Sequence, residues 1–159
     1  MSAAVNTVPL SLEALDPLPV DTLCLFVTED ERPLPGAAGY VDWRLCGQLS
    51  RLLVDGFFKG ARGESLLLPS AGRIGPPRVV ILGLGPGGDA LHAGTLRGAL
   101  SQAADVLNRA GADSIALELP GRGALAPADR SAAFQEAFAP AFRGARVTLL
   151  SDGPVRPSR

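Results

Sequence analysis

Residues 78–88, Arg-Val-Val-Ile-Leu-Gly-Leu-Gly-Pro-Gly-Gly, restrict the fold more than any other segment of the chain. The apolar run reads as a buried strand. Gly83, Gly85, Gly87 and Gly88 follow at once and let the backbone take positive φ or approach a neighbour closely. An amphipathic helix is predicted over residues 95–110. Leu96, Ala99, Leu100, Ala103, Val106, Leu107 and Ala110 form its apolar stripe, and Gly111 ends it. Strand, glycine-rich turn and helix in succession make a β–α unit, whose helix N-terminus leaves N–H groups that suit an anion. Here the turn is expected to act mainly as a tight connection.

The remaining pattern alternates in the same way. Strands are expected at residues 5–10 (an edge, given Pro9), 21–28, 64–69, 78–82, 114–119 and 146–150. The acidic, proline-rich link 29–39 is read as irregular. Residues 40–55 read as one helix, with Val41, Leu45, Leu49, Leu52 and Leu53 inward and Gly56 at its end. A further helix spans 127 to about 138. The short connection 70–77 makes strands 64–69 and 78–82 antiparallel neighbours. A three-layer α/β/α domain with a mixed sheet follows, covering residues 1–150, with a tail at 151–159.

Composition excludes several classes. Net charge is −1, so no global field favours nucleic acid or an anionic membrane. No apolar run is long enough to span a bilayer, and no leader pattern opens the chain, so a cytoplasmic protein is expected. Cys24 and Cys46 lack CxxC spacing and are expected to be small buried hydrophobes. The single histidine, His92, is read as a solvated loop residue, since one histidine cannot build a His-based metal site. Trp43 is expected to pack against a neighbouring layer, with an interface anchor the alternative. Asp42 is expected to suit the positive end of the helix it opens.

Several segments together resemble a known family. They are Arg32-Pro33-Leu34, Asp42-Trp43-Arg44-Leu45, Gly63-Glu64 before Leu-Leu-Leu-Pro, residues 78–86 (RVVILGLGP), the helix opening Thr95-Leu96-Arg97, and Ser-Ile-Ala-Leu-Glu-Leu-Pro. Across about residues 5–150 the chain resembles the N-terminal domain of the leucyl aminopeptidase family, peptidase family M17. The resemblance implies a macro-domain-like fold with about six strands. In that family catalysis belongs to a separate C-terminal domain with two metals, several carboxylates and a lysine. Nothing here matches its motif, and Lys59, the only lysine, has no carboxylates at ligand spacing. No catalytic residue, metal ligand or cofactor is therefore assigned, and the chain is expected to be a stand-alone, non-catalytic relative.

Gly83, Gly85 and Gly88 satisfy GxGxxG, but Pro86 and residues 89–94 delay the helix. Glu118 comes too late to serve a dinucleotide ribose, so nicotinamide or flavin binding is not expected. The preferred role is protein interaction or regulation, with a protein partner or self-association. The alternative is a phosphorylated small ligand of the ADP-ribose type, held by Gly83, Gly85, Gly87, Gly88, Gly121, Arg122 and Gly123. Association with DNA is the least expected reading.

Overall fold

The computed structural model describes residues 3–151, and in it the apolar run Thr22–Thr28 (β2) is an interior strand of a six-stranded sheet. The others are Ala4–Pro9 (β1), Ser65–Pro69 (β3), Arg78–Gly85 (β4), Ser114–Leu117 (β5) and Arg146–Ser151 (β6). Their order is β1-β6-β5-β2-β4-β3. Only β3 runs antiparallel, against β4, so the sheet is mixed as its short connection implied.

Period-two alternation along the interior strands feeds two cores. On one face Leu23, Leu25, Val27, Val79 and Ile81 meet the helices Leu12–Leu15 (α1), Gly36–Arg44 (α2) and Gln48–Val54 (α3) through Leu15, Val41 and Leu49. On the other, Cys24, Val80, Leu82, Ile115 and Leu117 meet Ala93–Arg109 (α4) and Pro127–Ala133 (α5). A π-helical turn, Phe134–Phe138, continues α5. Its two phenylalanines stack in series with Phe142, at centroid distances of 5.3 Å. The result is the α/β/α sandwich expected from the alternating pattern.

The departures have local causes. The helix expected over 40–55 is two helices, because Cys46 (φ 57°) and Gly47 (φ 80°) turn left-handed between them. Asp42 lies in the last turn of α2, and its carboxylate accepts from the backbone N–H (3.1 Å) and hydroxyl of Ser50 in the first turn of α3. It therefore serves the positive end of the following helix. Helix α2 starts earlier than expected, directly after Pro35, since proline excludes a helix interior but not its entry. Short α1 was not foreseen; the Ser11 hydroxyl caps it by accepting from Ala14 N–H at 3.1 Å.

Two side-chain expectations are corrected. Trp43 does not pack into a layer: it is 65% exposed, with the Arg44 guanidinium 5.0 Å from its ring centre. Cys24 is buried as expected, but Cys46 sits exposed on the left-handed corner, its sulfur 3.2 Å from Arg73 Nη1. The expected tail begins one residue early. Ser151 belongs to β6 and accepts from Leu10 N–H at 2.8 Å, while residues 152–159 lie outside the described residues.

Candidate functional site

Strand β2 has β4 on one side and β5 on the other, and the chain crosses from β4 over to β5 through α4. Such a switch leaves a crevice beyond the carboxyl ends of the parallel strands, where ligands of α/β proteins sit. A cleft of about 300 Å³ lies there. Its walls come from the end of β2 through Thr28, the opening of α2, and residues 118–123; Leu84 and Leu91 also line it.

Glu118 follows β5 directly and turns its carboxylate across the cleft. Oε1 accepts from Ala37 N–H at 3.2 Å, so the first turn of α2 already holds an anion supplied by the protein. Oε2 lies 3.8 Å from Arg122 Nη1. Gly36 (φ +59°) makes the arrangement feasible, because a Cβ there would lie 2.2 Å from Oε1. Arg130 of α5 ties down the opposite wall by donating to the carbonyls of Leu119 and of Pro120 (3.1 Å from Nε). Glu31 also lines the cleft. Its backbone N–H donates to Thr28 Oγ1 at 3.1 Å, and among the described residues its carboxylate has no ion pair.

The glycines and arginine singled out from the sequence fall into two groups. Gly121, Arg122 and Gly123 line the cleft. Gly83, Gly85, Gly87 and Gly88 do not. Strand β4 runs on through Gly83 and Gly85, which back onto loop 60–64. There a Cβ on Gly83 would lie 2.0 Å from the Ala61 carbonyl, and Gly85 N–H donates to Gly60 O at 2.8 Å. Gly87 N–H donates to Asp30 Oδ1 at 2.9 Å. Gly88 opens a 3-10 turn, Gly88–Ala90, with free space around it. Sequence reasoning missed Glu31, Gly36 and Ala37, which were hidden in a link read as irregular. It also treated Glu118 only as a ribose contact out of place.

The opposite end of β2 is closed by Asp21. Its carboxylate accepts from Asp113 N–H and Ser114 N–H, both at 2.9 Å, from the Thr22 hydroxyl at 2.7 Å, and from Arg78 at 3.4 Å. Burial pulls its pKa up, but the hydrogen bonds from Ser114, Thr22, Asp113 and Arg78 outweigh that and hold it below the ordinary 3.8. Burial pushes the Cys24 thiol up to about 12. His92 is exposed at the start of α4. Among the described residues no three His, Cys, Asp or Glu side chains gather in metal-holding positions. Within the same limits, no helix is long and apolar enough to cross a membrane.

This geometry defines an α/β/α domain of macrodomain type. The macrodomain of Thermus aquaticus DarG superposes with a TM-score of 0.70 at 16% identity, over 94% of this chain and 99% of that one. A mutant of tomato leucine aminopeptidase superposes with a TM-score of 0.64 at 18% identity, over 97% of this chain but 33% of the other. Residues 24–143 match the cytosol aminopeptidase family, N-terminal domain, and the chain belongs to that family. A "Probable cytosol aminopeptidase" of Halorhodospira halophila is 36% identical over 118 residues, which are 72% of this chain and 23% of that protein. The chain thus spans less than a quarter of the length of the curated relatives it matches.

Proposed function

We propose that this domain is a non-catalytic accessory module that docks, through the corner between α2 and α3, onto the catalytic portion of a cytosol aminopeptidase. The observation that carries this reading is the exposure of Trp43. A tryptophan on the surface with an arginine beside it is the composition of an interface anchor. Trp43, Arg44 and Arg73 line an open groove of about 710 Å³. Phe57 and Val54, 70% and 85% exposed, extend apolar surface around the end of α3. The partner is chosen because relatives named as aminopeptidases carry this domain as a small fraction of their length. Their name and the free thiols of Cys24 and Cys46 also support a cytoplasmic setting.

The test mixes the purified chain with a separately expressed aminopeptidase catalytic portion in calorimetry and sedimentation. A complex is expected, weakened about tenfold or more by Trp43→Ala with no change in the chain's melting temperature. Absence of a complex removes the partner, and a homodimer in its place assigns the groove to a second copy. Metal-dependent cleavage of aminoacyl chromogenic substrates by this chain alone removes the non-catalytic reading.

The phosphorylated-ligand alternative has the position of the cleft in its favour. Charge opposes it, since Glu118 already sits on α2 and Asp30 on Gly87 N–H. Duplex DNA has no support in the net charge of −1.

A further inference from the structure

We propose that the cleft at the carboxyl ends of β2 and β5 receives a small organic cation, an ammonium head on an apolar body. This goes beyond the docking role and does not depend on it. A cleft of about 300 Å³ lies at the small end of ligand-binding pockets, and Leu34, Leu84 and Leu91, all buried, supply apolar wall. Its ionisable lining is short. Glu118 and Arg122 are paired at 3.8 Å, and Glu118 also neutralises the opening of α2 through Ala37 N–H. The remaining charge is Glu31, whose carboxylate has no ion pair or hydrogen bond among the described residues. The Cys24 thiol at the base is neutral at physiological pH.

The lining therefore sums to one negative charge, carried by Glu31 beside Gly87, in a cleft that also has an apolar wall. A phosphate entering would meet a lining of net negative charge in a partly desolvated space, where like charges repel more strongly than in water. An ammonium would instead form a charge-assisted hydrogen bond with Glu31 while its apolar body covers the leucines. Thr28 holds the Glu31 backbone in place, so the carboxylate is presented without reordering the link.

The experiment is a set of amide NMR titrations of the intact chain with L-leucinamide, N-acetyl-L-leucinamide and ADP-ribose at millimolar concentration. Saturable shifts at Glu31, Ala37 and Gly121 are expected with leucinamide, and none with the acetylated compound, which lacks the charge. Glu31→Gln, which removes no contact the fold uses, is expected to weaken leucinamide about tenfold with the spectrum otherwise unchanged. Equal binding of the acetylated compound, unaltered binding by Glu31→Gln, stronger binding of ADP-ribose, or no saturable shift in the native protein would each overturn the proposal. These readouts lie in the cleft, so they succeed or fail separately from the Trp43 docking experiment.

Discussion

A Cβ on Gly36 would lie 2.2 Å from Glu118 Oε1, although the two residues belong to segments on opposite walls of the cleft. Gly36→Ala is therefore expected to destabilise by about 2 kcal/mol, combining left-handed backbone strain with eviction of the carboxylate from Ala37 N–H. Glu118→Ala removes the obstacle as well as the bond. The double variant should then lose less than the sum of the singles, which a urea-denaturation cycle measures.

Gly83 and Gly98 make a matched pair of opposite sign. At Gly83 the added methyl meets the Ala61 carbonyl, which is backbone and cannot swing away. Gly83→Ala is expected to cost about 3 kcal/mol. Gly98 lies within α4 with nothing within 4 Å of its Cβ position. Gly98→Ala should stabilise by about 0.5–1 kcal/mol through helix propensity. Thermal melts of both variants check the signs together.

The two cysteines should titrate in separate steps with a thiol reagent. Cys46 is exposed beside Arg73 and is expected to react in the native protein. Cys24 is fully buried, with its pKa pushed up to about 12, and should react only as the chain unfolds. Two equivalents consumed at once under native conditions would contradict the buried position.

Asp21 gives a pH dependence of fixed sign. Its folded pKa lies below the ordinary 3.8, so its stabilisation is complete above that value and disappears as pH falls through the lower folded one. Asp21→Asn is expected to lose about 1–2 kcal/mol at neutral pH through weakened hydrogen bonds from Asp113, Ser114 and Thr22. Its stability curve should also be flatter than the parent's below about pH 4. Denaturant midpoints collected from acid to neutral pH give the comparison.

The layers were legible because periodicity is local. The continuous apolar run at residues 22–28 declares a strand covered on both faces, and the stripe on residues 96–107 declares one helix face, without reference to the rest of the chain. The cleft was not, because its central contact joins Ala37 to Glu118 across 81 positions and has no sequence period. Prolines 33 and 35 disguised a helix entry as a loop. The glycines at 83 and 85 drew attention as a ligand turn, yet what crowds them is the chain's own loop 60–62. Trp43, expected to pack against a neighbouring layer, instead lies exposed in the last turn of α2, just before the left-handed corner at Cys46 and Gly47.

Asp21 gathers the amino ends of β2 and β5 and the start of β4, while β2 and β5 stop pairing at Cys24 and Leu117 and β2 stays paired with β4 as far as Thr28. The sheet is thus pinned like a fan at its rivet. The cleft therefore opens beyond the last rung that β2 shares with β5, and there the Ala37–Glu118 hydrogen bond does the joining that strand pairing no longer provides.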